Sequence, residues 1–317
     1  MPHTATIPAG PTPVLTTEGC DAQRFQLKRD SVQYPAVIAW ADRSIFAELE
    51  RWRASWLSPY ELAGYNNCGI EKRRMDYLLG RLAAKLAIYT LLQEPESALA
   101  ATDDELPVLS KLRSIEIAMG AFTQPLARAP QAGDISPAVC YTHSDGVAVA
   151  IAFPDGHPLG VDLEIVTERR LKVLKTQISE GELTDVFIPK NGHHVPTELD
   201  AYTQGWCAKE SLSKVLRCGL TVPFEVLALK NTHLLPSSTV PMMGGEFKNF
   251  TQYRFESFSA GRFAVSIVLP RRTSAAWPVE WLSERLESSV PVDPATLSTT
   301  IARSAAPAPD TDTAALT

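Results

Sequence analysis

Two short segments carry the side chains that could do chemistry: Gly-Val-Asp-Leu-Glu at residues 160–164 and Trp-Cys-Ala-Lys-Glu-Ser-Leu-Ser-Lys at residues 206–214. A strand places every second side chain on one face, whereas a helix aligns residues three or four apart. The first segment has the pattern of a strand and the second that of a helix. Three carboxylates and two lysines can therefore converge: Asp162, Glu164, Glu210, Lys209 and Lys214. Carboxylates are ligands for Mg2+, and lysines bind phosphate oxygens, so the pattern predicts a cation and phosphate site.

The surrounding sequence has the mixed pattern of helices and antiparallel strands. Apolar residues at a 3.6-residue period predict a long helix over residues 71–93, and the helix of the second segment is predicted over 197–218. A third helix is predicted over 171–187. Alternating apolar residues and turn signals predict strands over 36–40, 139–153, 157–166, 226–230, 253–259 and 262–269.

Composition limits the class of protein. The chain has 317 residues, 45% of them hydrophobic, which is enough for a full core. It has no apolar run near the roughly 20 residues of a membrane span, and its start lacks the pattern of a secretory signal, so we expect a cytoplasmic protein without a membrane partner. The net charge of −6 gives no reason to expect a nucleic-acid partner. Five cysteines without a C-x-x-C pair argue against a disulfide framework and a zinc site.

The domain organisation follows from composition along the chain. Residues 1–30 and 288–317 are rich in Pro, Thr, Ser and Ala with little periodicity, so we expect a disordered N-terminal extension and a disordered C-terminal tail. Between them we expect a first folded half over 31–155 and a second half, which carries the metal site, over 156–287. No sequence repeat between the halves is evident.

Both signature segments resemble those of the 4'-phosphopantetheinyl transferases. That family has G-[IV]-D-[IVL]-E on a strand and W-x-x-K-E-x-x-x-K on a helix, and both patterns are intact here. The resemblance covers roughly residues 70–270 and is to the larger, pseudodimeric class, the surfactin-synthetase-activating type. It implies an α+β fold of two similar halves related by a pseudo-twofold axis, each an antiparallel sheet packed with a long helix.

The resemblance also implies an activity. Such a protein moves 4'-phosphopantetheine from coenzyme A to a serine of an apo acyl or peptidyl carrier protein, with Mg2+, and releases 3',5'-ADP. Its partners are coenzyme A and a carrier protein of fatty-acid, polyketide or nonribosomal-peptide synthesis, and it is typically a monomer. By this resemblance the metal ion is held by Asp162, Glu164 and Glu210, and the phosphates by Lys209 and Lys214.

Three further stretches resemble family segments. The stretch 178–185 implies that Glu182 is the base that takes the serine proton, with Glu180 as the other possible alignment, and Glu210 could serve instead. Lys214 is counted with Glu182 and Glu210 as catalytic, because charge neutralisation is most of the work in this chemistry. The remaining stretches imply contacts with coenzyme A phosphates for Thr142, His143, Ser144, Arg74 and Arg81. Considered alone, the basic run at 72–74 could equally be a solvated helix face.

Two other functions remain open from the sequence. The first is a non-catalytic accessory protein of the same fold that binds coenzyme A or a carrier protein; loss of Asp162, Glu164, Glu210 or Lys214 would have favoured it, and none is lost. The second is a metal-dependent hydrolase that cuts the coenzyme A pyrophosphate with water.

Overall fold

Two five-stranded antiparallel sheets, each packed against one long helix, form the framework of the protein. The structure is a computed structural model that describes residues 19–93, 109–129, 137–189, 193–237 and 240–291. The predicted α+β class is confirmed.

The first half of the chain supplies six strands and five helices within the described ranges. They are β1 Cys20–Arg29, β2 Val32–Asp42, α1 Phe46–Arg51, α2 Arg53–Trp56, α3 Pro59–Asn66, α4 Glu71–Leu92, α5 Leu109–Leu112, β3 Glu116–Met119, β4 Pro125–Arg128, β5 Pro137–Ser144 and β6 Val147–Pro154. The predicted helix over 71–93 is confirmed as α4.

The second half begins at the strand that carries Asp162 and Glu164. Its elements are β7 Gly160–Ile165, α6 Glu168–Gln177, α7 Glu180–Leu183, α8 Glu198–Leu216, β8 Leu229–Leu235, β9 Met242–Phe247, β10 Tyr253–Ala260, β11 Phe263–Pro270, β12 Thr273–Ala275 and α9 Val279–Ser288. The predicted helix over 197–218 is confirmed as α8. The helix predicted over 171–187 is instead divided into α6 and α7, because Ser179 and Glu182 form a capping box that starts a new helix.

The two sheets pack face to face and share a core. Their strand orders are β12-β1-β2-β6-β5 and β7-β11-β10-β9-β8. Side chains of both sheets meet in one apolar cluster that also includes α9, while α4 and α8 cover the opposite faces. Strands such as β6 are buried on both faces, which explains why they are apolar along their length. Within the described ranges, no helix combines the length and apolar character that a bilayer span requires.

The two halves repeat one order of elements. When α1, α2 and α5 of the first half and α6 of the second are set aside, the series β2–α3–α4–β3–β4–β5–β6 corresponds to β7–α7–α8–β8–β9–β10–β11. The neighbours β2-β6-β5 correspond to β7-β11-β10. One difference is that β9 pairs with β10, whereas β3 and β4 form a separate two-stranded sheet. The structure therefore has the two similar halves that the sequence alone did not reveal.

Residues 20–29 correct the expected disordered extension over 1–30. They form β1, which pairs with β2 along its whole length and buries Phe25 and Leu27 in the shared core. Pairing with β2 stabilises this strand, and the composition of residues 20–29 alone does not indicate that pairing. Residues 1–18 of the expected extension, and residues 292–317 of the expected tail, lie outside the described residues.

Gly160 allows the close packing of α8 on β7. A Cβ atom at this position would lie 2.2 Å from the carbonyl oxygen of Ser211 and 2.8 Å from Cγ2 of Val215. Only glycine permits this approach, which brings the acidic strand and the Lys-Glu helix together.

We predict that Gly160→Ala lowers the free energy of unfolding by about 1–3 kcal/mol, because α8 must shift to admit the methyl group. Urea unfolding measures this change. Gly156→Ala is the matched control, since open space surrounds that position. Equal stability of the two variants would contradict the packing argument.

Candidate functional site

A row of hydrogen bonds between β5 and β7 joins the two halves. Among the described strands, none pairs with the outer edge of β7. Instead, three side chains of β5, spaced two residues apart, accept hydrogen bonds from the backbone N–H groups of β7. The pairs are Val161 to Cys140 Sγ at 3.3 Å, Leu163 to Thr142 Oγ1 at 3.2 Å and Ile165 to Ser144 Oγ at 3.2 Å. Thr142 and Ser144, which the sequence assigned to coenzyme A, therefore make structural contacts between the halves.

Asp162 lies at the centre of this junction. Its side chain is buried, and Oδ1 accepts hydrogen bonds from Thr142 Oγ1 at 2.9 Å and from Lys214 Nζ at 2.8 Å. The other oxygen, Oδ2, is buried with no hydrogen-bond partner among the described residues. A buried carboxylate oxygen without a partner is costly unless something binds there.

Lys214 extends from α8 across both halves. Its ammonium group donates to the carbonyl oxygen of Val161 on β7 at 3.0 Å and to that of Tyr141 on β5 at 3.4 Å, in addition to Asp162. Burial alone would lower the pKa of Lys214, but the Asp162 carboxylate, the Cys140 thiol and Glu210 raise it to about 12. The lysine is a fixed positive charge beside Asp162.

Glu210 is half-buried, one helical turn before Lys214. Burial, together with the charges of Asp162 and Glu164, raises its pKa to about 7, although Lys214 and Arg170 oppose the shift. No hydrogen bond or ion pair to its carboxylate occurs within the part of the chain that the structure describes. Glu210 can therefore gain or lose a proton near neutral pH.

Glu164 is held by two residues that the sequence did not single out for this role. Arg170 at the start of α6 forms an ion pair with both of its oxygens, and the Trp206 indole N–H donates to Oε1 at 3.2 Å. Burial raises the pKa of Glu164, while the bond with Arg170 lowers it. The sequence shows Arg170 six residues after Glu164, but this spacing belongs to no known motif and did not predict the ion pair.

The next part of the junction faces the start of α4. His143 is half-exposed, with Nδ1 at 3.8 Å from Asp76 Oδ1. Burial lowers the pKa of His143. The positive charges of Lys214 and Lys72 lower this pKa further, whereas the Asp76 carboxylate raises it. The cation of α4 that acts on this histidine is therefore Lys72, a residue that was not selected from the sequence.

Arg74 and Arg81 do not meet at this junction. Arg74 pairs with Glu50 on α1 at 3.1 Å. Arg81 is buried, donates to the Tyr141 hydroxyl at 2.6 Å and stacks over Tyr77. The two side chains therefore have different neighbours in this structure, and the role of both in phosphate binding stays a prediction.

Lys209 and Glu182 form a separate buried ion pair. Lys209 is fully buried, and its Nζ lies 2.9 Å from Glu182 Oε2 and 2.8 Å from the carbonyl oxygen of Gln177. Glu182 also accepts from the backbone of Ser179 and of Leu229. In this structure Lys209 contacts Glu182 and not the residues around Lys214, and donors occupy both oxygens of Glu182. The roles of Lys209 in phosphate binding and of Glu182 as base stay predictions.

The first half contains the same arrangement. Glu61 caps α3 with Ser58, accepts from the backbone N–H of Ile117 at the start of β3 and lies 2.5 Å from Lys85 Nζ on α4. Lys85 donates to Trp56, two residues before the cap, as Lys209 does to Gln177 two residues before Ser179. Burial lowers the pKa of both lysines, that of Lys85 to about 8. Because the pair recurs without Asp162 or Glu210, it belongs to the framework of each half.

Two of the three expected metal ligands fit a hard cation. The described residues contain no group of three or more His, Cys, Asp or Glu side chains arranged to hold a metal ion. Asp162 Oδ2 and the Glu210 carboxylate have no partner there, whereas Glu164 is bound by Arg170. Mg2+ commonly takes one or two carboxylates and completes its shell with water and substrate phosphates, so Asp162 and Glu210 suffice.

We predict that Glu182→Gln and Glu61→Gln each lower the free energy of unfolding by about 3–5 kcal/mol, because each leaves a buried lysine unpaired. Glutamine keeps one acceptor oxygen for the capping bond but sets an NH2 group against the backbone N–H of Leu229 or Ile117, so urea unfolding measures the lost charge together with that hydrogen bond. Glu198→Gln, which breaks the exposed pair with Lys175, is the control and should change little. A stable Glu182→Gln protein without activity would restore Glu182 as a base.

Comparison with known proteins found a family model that matches part of the chain. The model of the 4'-phosphopantetheinyl transferase superfamily matches residues 158–284, which include Asp162, Glu164, Glu210 and Lys214. A search of curated proteins found no match to the chain. The matched segment runs from the turn before β7 into α9, so β5 with His143 lies outside it. The chain therefore carries, over residues 158–284, a domain of the 4'-phosphopantetheinyl transferase superfamily.

Proposed function

We propose that this protein transfers 4'-phosphopantetheine from coenzyme A to a serine of an apo acyl or peptidyl carrier protein, with Mg2+, and releases 3',5'-ADP. The observation that carries the proposal is Asp162: one buried oxygen is fixed by Thr142 and Lys214, and the other has no hydrogen-bond partner in the described part of the chain. A fixed carboxylate with a free oxygen beside a permanent cation suits a pyrophosphate that arrives with its metal ion.

Asp162 and Glu210 would hold the magnesium ion. When bound, the ion would neutralise charge on the pyrophosphate that is cleaved. Glu164 would join as a third ligand only after separating from Arg170, so in this proposal it acts first by orienting Arg170 and Trp206. This departs from the three-carboxylate set that the resemblance implies.

Lys214, His143 and Lys72 would bind the phosphates of coenzyme A. Lys214 carries a permanent charge, and Lys72 extends the positive edge toward α4. His143, whose pKa burial lowers, would contribute a ring N–H as a neutral hydrogen-bond donor. Lys209, Arg74 and Arg81 are left out, because each is engaged by a glutamate or a tyrosine elsewhere.

The reaction is an attack of the serine oxygen on the β-phosphorus of coenzyme A. The new bond joins that oxygen to phosphorus, the bond to the bridging oxygen breaks, and 3',5'-ADP leaves with the electron pair. Glu210 would take the serine proton, directly or through water, since a carboxylate that holds the metal ion can still accept a proton through a water molecule. Lys214 would stabilise charge on the transferred phosphate.

A non-catalytic role that uses the same site is the second candidate. The Arg170 ion pair on Glu164 favours it, since that pair leaves two free carboxylates where the family pattern has three. An accessory protein of this kind would bind coenzyme A and leave the carrier protein unmodified.

We predict that an apo carrier protein gains the mass of one phosphopantetheine arm when incubated with this protein, coenzyme A and Mg2+, and gains none with excess EDTA. Intact-mass spectrometry measures the gain. Asp162→Asn should lower the rate at least about a hundredfold, because it removes charge from a preorganised site. Asp30→Asn, in the turn between β1 and β2, is the isosteric control. Coenzyme A binding without mass gain on several carriers would favour the accessory role.

We predict that Mn2+, used as a probe for Mg2+, binds more tightly as pH rises through about 7. Below that pH Glu210 is protonated and cannot be a ligand, so affinity should fall about tenfold per pH unit. Electron paramagnetic resonance titration measures free Mn2+. Glu210→Gln should weaken binding at high pH and remove this dependence; affinity that does not change between pH values of about 6 and 8 would exclude Glu210 as a ligand.

A further inference from the structure

The hairpin formed by β3 and β4 exposes apolar side chains close to the junction residues. Phe122 at its tip is 70% exposed, the largest exposed fraction among the large apolar side chains of the described residues, and Leu126 on β4 is 38% exposed. Pro125 lies between them in the sequence and is half-buried. A single exposed apolar residue is ordinary, whereas neighbouring ones mark surfaces that contact a partner. We call Phe122, Pro125 and Leu126 the hairpin rim.

The rim is exposed because the two halves differ at this place. In the second half β9 pairs with β10 and the sheet is continuous, whereas β3 and β4 pair only with each other among the described strands. Side chains hold the base of the hairpin instead. Glu61 accepts from the backbone N–H of Ile117 at 3.0 Å. The Arg81 guanidinium lies 3.8 Å from Met119 Sδ. The hairpin is therefore anchored at its base and projects beyond the sheet at its tip.

Hydrogen bonds within the tip fix the position of Phe122. The side-chain oxygen of Gln124 accepts from the backbone N–H of Phe122 at 2.9 Å, and its carbonyl oxygen accepts from the N–H of Gly120 at 2.8 Å. The backbone of Thr123 is left-handed, with a φ of 62°. Because the tip is already ordered, burial of the ring against a partner costs less conformational entropy than ordering a free loop.

The rim lies where a cavity beside the junction opens to solvent. This cavity has a volume of about 530 Å3 and is lined by Phe122 and Leu126 from the hairpin and by Glu210 and Lys214 from α8. A protein whose serine reaches a phosphate beside Lys214 has to lie against the surface around this opening. Phe187, an exposed aromatic residue of the second half, does not line the cavity.

The charge around the hairpin suits an acidic partner. The chain as a whole has a net charge of −6, which repels such a partner. Residues 109–129 differ, because Glu116 is their one acidic residue and three basic residues are exposed there, namely Lys111, Arg113 and Arg128. A protein with surface carboxylates is attracted to a locally basic surface of this kind.

We propose, on the basis of the proposed function, that the hairpin rim docks the apo carrier protein and that this partner is acidic. Phe122 is the apolar anchor of the contact, and the three basic residues pair with carboxylates around it. Docking at this place presents the carrier serine to the phosphate beside Lys214. The second half offers no equivalent surface among the described residues, because its corresponding strands lie within a continuous sheet.

The test measures binding of an apo acyl carrier protein and an apo peptidyl carrier protein, each labelled with fluorescein, by fluorescence anisotropy without coenzyme A, so that no transfer occurs. Phe122→Ala should weaken binding about tenfold, because truncation of an aromatic anchor commonly has such an effect. Arg128→Gln should weaken binding less, and its effect should shrink as the NaCl concentration is raised. Phe187→Ala removes the same ring from the second half and should leave binding unchanged.

The transfer reaction gives a second readout. With saturating coenzyme A, Phe122→Ala should raise the KM for the carrier protein about tenfold and leave kcat unchanged, because the residue acts in docking and not in the chemical step. Initial rates from intact-mass spectrometry measure both constants. A rise confined to the KM for coenzyme A would show that Phe122 contacts that substrate instead, and would overturn the docking site.

The docking site and the proposed function fail in different ways. Equal binding of the carrier proteins by the unaltered protein and Phe122→Ala, with transfer still observed, would overturn the docking site and leave the transferase intact. Binding that Phe122→Ala weakens, without any transfer, would support the docking site and overturn the transferase. Neither binding nor transfer would overturn both.

Two other results would also overturn the docking site. Helix α6 exposes Val173 among basic residues, so weakening of carrier binding by Val173→Ala, and not by Phe122→Ala, would place the contact on α6. A dimer of the unaltered protein that Phe122→Ala dissociates, as measured by analytical ultracentrifugation, would assign the hairpin rim to a second copy of the chain.

Discussion

The hydrogen bonds between β5 and β7 are the constraint on which the candidate site depends. An unpaired strand edge inside a protein must find partners, and here Cys140, Thr142 and Ser144 supply them from side chains. The same contacts fix Thr142 against Asp162, and Lys214 binds carbonyl oxygens on both strands. The junction thus holds Asp162 with Oδ1 bound by Thr142 and Lys214 and with Oδ2 lacking a partner within the described ranges, an arrangement that needs residues of both halves.

The internal repeat separates what stabilises each half from what acts on a substrate. The pairs Glu61–Lys85 and Glu182–Lys209 each connect a capped helix, a long helix and the next strand. The residue that follows the lysine of each pair differs between the halves. Leu86 follows Lys85 on α4, whereas Glu210 follows Lys209 on α8. In the proposed function, most residues that act on the substrate therefore come from the second half, and β5 and the start of α4 contribute from the first.

The sequence predicted the helices and strands well, but it predicted less well which side chains meet in the folded protein. Helix α4, helix α8 and the acidic strand follow from periodicity, and Asp162, Glu210 and Lys214 do lie together. Lys209 shares the helix with Lys214 but is drawn to Glu182, because a neighbour from α7 decides where a long side chain ends. Strand β1 depends on its pairing with β2. Arg170 contacts Glu164 because the turn into α6 brings the two residues together. Neither contact produces a periodic pattern in the sequence from which it could be predicted.

The most direct test of the central claim is a crystal structure of the protein with coenzyme A and Mn2+, with anomalous diffraction recorded to locate the metal. The account predicts an anomalous peak between Asp162 Oδ2 and the Glu210 carboxylate, with the pyrophosphate beside Lys214. A metal or pyrophosphate bound at the Glu182–Lys209 pair, with Asp162 Oδ2 still without a partner, would contradict it.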